Sequence, residues 1–245
     1  MTELLTKSLA QIVNGNHRAA AVFEKFHLDF CCKGKRTLQE ACAESDLKIE
    51  EVVNELQEAD LNSGYIDTIN YDELSLTQLA DHIVNTHHVF VKKEIPLILG
   101  YLQKVSAKHG DRHPEMKKVL DLFATVSEEL EQHMLKEEQI LFPRIKEVDE
   151  LIAEKKEITV SSAWLLSPIH VMEEEHDLAG NLLSETRILT NNYTPPVDAC
   201  TTFRLSLAAL QAFEMDLHQH VHLENNVLFP KALGVFKIAE NVSLN

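Results

Sequence analysis

Glycine and proline are scarce in this chain, with seven of each in 245 residues. Few tight turns and few strand-ending signals follow, which argues against sandwiches and barrels. No run of about twenty apolar residues is present, so no segment reads as a membrane span. Positive charge is also short: Lys and Arg number 23 against 39 Asp and Glu, for a formal net charge of −16. That balance repels phosphate backbones and anionic bilayers, which excludes nucleic acid and membrane as partners but leaves metal cations and basic proteins. The opening stretch from Met1 to Lys7 lacks the charged start and apolar centre of a signal peptide. The four cysteines, two of them adjacent, do not form a secreted disulfide framework. The expectation is a soluble cytoplasmic protein with free thiols.

Long runs of Ala, Leu, Glu, Lys and Gln favour helix, and the fold class read from them is all-α. Residues 1–66 hold short helical pieces broken at Asn14-Gly15-Asn16 and at Phe30 to Lys35, and they form a helical domain with too little core to stand well alone. A stretch from Asn62 to Glu73, rich in turn residues and without helical period, reads as the linker. From residue 72 to 245 the pattern predicts four long helices. The first starts at a capping box, Ser75 to Gln78, and runs through Pro96, which bends it. The second starts at His113-Pro114, the third at Ser167-Pro168, and the fourth after Thr194-Pro195-Pro196. Short connections make this an up-down-up-down four-helix bundle.

One motif occurs twice. His-x-x-x-Glu-x-x-x-Leu-Phe-Pro runs from His133 to Pro143 and again from His220 to Pro230, 87 positions later. Residues four apart share a helix face, so each copy aims an imidazole and a carboxylate at one point. At an offset of 88, His82 matches His170 and His88 matches His176. The bundle therefore reads as a duplicated helical hairpin whose halves meet about a pseudo-twofold axis.

The repeat selects ligands among thirteen histidines. His87 corresponds to Glu175, His218 to Glu131 and His222 to Leu135, so these three are unmatched and are expected to face elsewhere. The matched set is His88, His133, Glu137, His176, His220 and Glu224. His82 and His170 precede their partners by six residues, about 120° away on a helix, and are candidates to support a ligand from behind. Four imidazoles and two carboxylates without a thiolate suit iron or manganese. With Glu137 and Glu224 bridging two metals and an oxo or hydroxo group between them, one position per metal stays open. A single His-x-x-x-Glu is ordinarily an exposed ion pair; its recurrence with Leu-Phe-Pro and a matched histidine points to a metal centre.

Several stretches together resemble the RIC family of di-iron iron–sulfur cluster repair proteins, of ScdA, YtfE and DnrN type. They are Asp29 to Lys35, Thr37 to Cys42, the first long motif, Thr194 to Cys200, and Asp216 to Pro230. The resemblance implies a hemerythrin-like bundle, two iron ions per chain on the six residues above, and clients with damaged or apo iron–sulfur clusters. It implies repair after nitrosative or oxidative stress, by supplying iron. Two alternatives use the same site: a di-iron nitric oxide reductase making nitrous oxide, or an O2 or NO carrier or sensor. Monomer and homodimer are both compatible with it. Cys31 and Cys32 are candidates for a reactive thiol, a contact with a damaged cluster, or a redox gate, with Lys33, Lys35 and Arg36 expected to lower a thiol pKa. Cys42 and Cys200 read as core.

Overall fold

The structure, a computed structural model, describes residues 2–61, 69–157 and 160–243. The first part holds α1 (Thr2–Thr6), α2 (Leu9–Gly15), α3 (Arg18–Lys25), α4 (Leu38–Glu44) and α5 (Ile49–Leu61). Ser8 with Gln11 and Thr37 with Glu40 close reciprocal capping boxes on α2 and α4. The two caps also pair through one antiparallel bridge between Ser8 and Thr37. Leu9, Val13, Phe23, Phe30, Leu38, Ala41, Cys42 and Val52 bury together as a separate core. Most of the expected linker, residues 62–68, lies outside the described residues.

Four long rods follow, and three change pitch part-way. The first is α6 (Leu76–Ile83), one turn of π-helix (Val84–His88), then α7 (Val89–His109). The second is α8 (Glu115–Lys136), a π turn (Glu137–Leu141), then α9 (Phe142–Ala153). The third is α10 (Ala163–Leu189), without such a turn; the fourth is α11 (Thr201–Leu223), a π turn (Glu224–Leu228), then α12 (Phe229–Ser243). The π turns start or end on three of the six repeat-selected residues, His88, Glu137 and Glu224. Single π turns within α-helices gather at functional sites, and in two of these rods the widened turn precedes a proline, Pro143 or Pro230, that has no N–H to give the regular ladder.

Capping differs from expectation at two helices. Pro168 does not open the third rod; α10 starts a turn earlier, with Pro168 inside it. The carbonyl that Pro168 leaves unpaired, on Trp164, instead accepts from Arg144 Nη1 at 2.8 Å, which removes the usual cost of an internal proline. The fourth rod begins only at Thr201, after Cys200 in an extended N-cap conformation. Pro96 sits inside α7, as expected.

The bundle core is divided in two. One apolar cluster includes Ile98, Leu102, Phe123, Leu130, Leu183, Leu207 and Phe213; the other includes Leu79, Ile83, Leu141, Phe142, Ile145, Leu165 and Phe229. The matched histidines and glutamates form a polar layer between them. No helix among the described residues is long and apolar enough to cross a membrane.

Candidate metal centre

All six repeat-selected residues converge in that layer. Two overlapping groups form, His88 with His220 and His133 with His176, each completed by Glu137 and Glu224. His176 Nε2 lies 3.0 Å from Glu224 and 3.0 Å from His133 Nε2. His220 Nε2 is 3.0 Å from Glu224, and His88 Nε2 is 3.3 Å from Glu137. Each of the six is buried to 2% exposure or less.

Hydrogen bonds on the far side of three rings fix which nitrogen faces inward. His88 Nδ1 is 2.8 Å from the Glu138 carboxylate and His133 Nδ1 is 2.9 Å from that of Glu175. A carboxylate only accepts, so each Nδ1 carries the proton and each Nε2 presents a bare lone pair to the centre. His176 Nδ1 does the same to the amide oxygen of Asn225 at 3.0 Å. Lys92 and Lys136 back Glu138 and Glu175 from outside.

Electrostatics sharpen the point. Burial, with His220 adding to it, drives the His88 pKa down to about 4, and burial also lowers His133 and His220. Burial thus favours the neutral form of these three imidazoles, the form that ligates. Burial and the charge of Glu224 push Glu137 well up, whereas Glu224, although burial opposes it, is held down by His220 and His176. The His133 hydrogen bond brings Glu175 down to about 2.

His88 Nε2, both Glu137 oxygens and one Glu224 oxygen are buried without a hydrogen-bond partner. Facing lone pairs at 3.0 Å beside two buried carboxylates repel one another unless cations lie between them. The donors fit a metal pair of borderline-hard character, iron or manganese by their N/O chemistry.

The profile of the Hemerythrin HHE cation binding domain matches residues 79–232. That of the ScdA N-terminal domain, a domain of unknown function (DUF542), matches residues 5–60. An iron–sulfur cluster repair protein YtfE from Escherichia coli O157:H7 is 39% identical over 218 residues, 89% of this chain and 92% of the relative. One from Shigella boydii serotype 4 has the same identity and coverage, and one from Enterobacter sp. strain 638 is 36% identical over 226 residues, 92% and 96% of the two chains. The chain belongs to the YtfE family of iron–sulfur cluster repair proteins. Membership in this hemerythrin-like family implies a metal site, with iron the metal, and the polar layer holds the His and Glu groups that could bind it.

Other expectations fare differently. His170 does not support a ligand: its side chain is 71% exposed and pairs with Glu174. His82 does not touch a ligand hydrogen bond either; it meets the Tyr71 hydroxyl at 3.3 Å and stands edge-on to His87. Both start a turn and a half from the ligand face, and nothing turns them inward. The supporting acceptors are Glu138, Asn225 and Glu175. The first two are themselves repeat equivalents, directly after the matched glutamates, a signal present in the sequence. His87 does not face elsewhere: it is buried, stacked on His220 at 5.5 Å with 4° between the planes, and held by Asp216 at 3.0 Å. His218 and His222 point to the N-terminal helices, binding Glu24 at 2.5 Å and Asn14 at 2.9 Å.

The cysteine pair sits where the two parts meet. Asn226 Nδ2 donates to the Cys31 carbonyl at 2.9 Å, and at Gly34 a Cβ would come within 2.2 Å of the Phe30 carbonyl. Two cavities of about 350 and 250 Å3 have Cys31 and Cys32 in their walls, and the second reaches Asn225 behind His176. Asp29 Oδ1 accepts from the backbone N–H of Cys31, Cys32 and Lys33 and from the Cys31 thiol. The expected lowering is reversed at Cys31, whose pKa is pushed well up by its hydrogen bond with Cys32, by burial and by Asp29. Arg36 is spent on Glu44 instead. Cys42 is core, while Cys200 is a half-buried helix cap beside His109.

Proposed function

We propose that this chain repairs iron–sulfur clusters damaged by nitrosative or oxidative stress, with iron carried at the buried layer as the supply. The observation that carries the reading is the set of inward Nε2 lone pairs around two buried carboxylates, three of whose four oxygens have no hydrogen-bond partner, in a chain of this family. We assign two iron ions per chain: one to His88 and His220, one to His133 and His176, with Glu137 and Glu224 as bridges. Bound there, iron is redox-active and exchangeable. The protein residues hold the imidazoles neutral and oriented and keep water from the layer. The iron itself is cargo, destined for proteins with apo or damaged clusters.

The relatives' names state cluster repair and do not favour the nitric oxide reductase or the carrier and sensor alternatives. NO and O2 remain small ligands of interest for the same centre. A reducing cytoplasm suits the four free cysteines. Monomer and homodimer both suit the reading, since every ligand comes from one chain.

The test begins with metal analysis of anaerobically purified protein from iron-supplemented cells, beside the double variant Glu137→Ala, Glu224→Ala. About two irons per chain in the wild type and a large loss in the variant are expected. No iron, or stoichiometric zinc that the variant retains, would sink the assignment. Transfer follows: the reduced protein loses iron to an apo-cluster acceptor faster than to buffer. Equal rates would rule out donation.

A further inference from the structure

The duplicated hairpin is not symmetric behind its ligands. Across the repeat, Glu138 behind His88 matches Asn225 behind His176, so both rings have an oxygen acceptor for Nδ1–H. Glu175 behind His133 matches His87 behind His220. An imidazole stacked face to face cannot accept from the ring it lies on. His220 Nδ1 is accordingly buried with no partner, alone among the four ligand histidines. His87 uses its own Nδ1 on Asp216.

We infer that the two irons are held unequally, and that the one on His88 and His220 is the one the protein gives up. This rests on the di-iron reading above. The physical link is the acceptor on the far nitrogen of each ring. It fixes ring orientation and raises the basicity of the metal-facing nitrogen, and losing it costs about 10–100-fold in metal affinity. The His133 and His176 pair has both acceptors, Glu175 and Asn225. The His88 and His220 pair has only Glu138. On the same side, Asp216 forms part of the wall of a cavity of about 350 Å3 shared with His17, Glu24, Phe90 and Gln219. His87 links Asp216, on that wall, to His220.

The test is release kinetics. Full-length protein loaded anaerobically with two ferrous ions per chain is mixed with excess ferrous chelator, and chelate formation is followed by absorbance. Two phases of one iron each are expected, with rates about 10–100-fold apart. The double variant His87→Glu, Asp216→Asn places a carboxylate where the other half has Glu175, without setting it against a second carboxylate. It is expected to slow the fast phase and leave the slow one. Glu175→Leu, which removes the acceptor behind His133, is expected to do the converse, speeding the slow phase alone. Two irons leaving the wild type in a single phase would overturn this inference and leave the di-iron reading intact. So would a Glu175→Leu change confined to the fast phase. Failure to load two irons would overturn both. Should the double variant not fold by circular dichroism, the wild-type phases and Glu175→Leu still decide.

Discussion

Asp149 shows how one side chain, far in sequence from its target, sets a helix end. Its carboxylate accepts from the Ser75 hydroxyl at 2.8 Å and from the Thr77 N–H at 3.0 Å, so α6 is capped from α9 as well as by its own capping box. Although burial opposes it, these bonds lower the Asp149 pKa. A lowered acid contributes stability that is fully present above its unfolded value, near 3.8, and is lost as pH falls through the folded one. Asp149→Asn is therefore expected to weaken the protein at neutral pH while flattening its loss of stability between about pH 5 and 2. Urea midpoints across that range measure it, and parallel wild-type and variant curves would contradict it. At this scale the six candidate ligands were legible, because duplication marks positions that chance does not. Glu175 was not: it has no glutamate at its repeat equivalent, and its role depends on which ring a neighbouring rod presents.

Among elements, the π turns and the Leu-Phe-Pro runs after them belong together. Leu-Phe-Pro reads from sequence as core plus a bend, and core it is: Leu141, Phe142, Leu228 and Phe229 are each 2% exposed or less. The phenylalanines have a second use. Phe142 stacks on His88 at 5.8 Å and Phe229 on His176 at 6.4 Å, so each copy supplies an apolar floor for a ligand ring from the other rod of its hairpin. Phe229→Ala is expected to cost about 3–5 kcal/mol in stability by denaturant unfolding of the metal-free protein. It is also expected to loosen His176, read as faster iron loss from the slow phase. A cost below about 1 kcal/mol would mean the ring is not packed as described. The π turns themselves were illegible, since helical periodicity over a short window does not separate a four-residue from a five-residue hydrogen bond.

For the whole molecule, the question is how the N-terminal helices sit on the bundle. Asn14, Glu24 and Phe30 meet His218, His222 and Asn226, all on the rod that carries His220 and Glu224. The Cys31–Cys32 turn thus rests one residue from Asn225, and any movement of the first domain bears on that wall. Asn226→Ala removes the donor to the Cys31 carbonyl, a loss of about 1 kcal/mol at the contact. Faster amide exchange across Cys31 to Gly34, with iron content unchanged, is the expected outcome. Unchanged exchange would show that the contact does not hold the turn.

The sequence by itself determined the helical class, the duplicated hairpin, the six candidate donors and the N/O chemistry that suits iron or manganese. Each of these rests on periodicity, residue type or a fixed offset, all of which are properties of order along the chain. Only the tertiary structure decided which nitrogen of each ring points inward, that His87 lies against His220 while His170 faces solvent, and that a hydrogen bond with Cys32, together with burial, raises the Cys31 thiol. Those outcomes depend on rotamers, on the exclusion of water and on acceptors brought in from other rods, and none of these has a period that a linear pattern can carry.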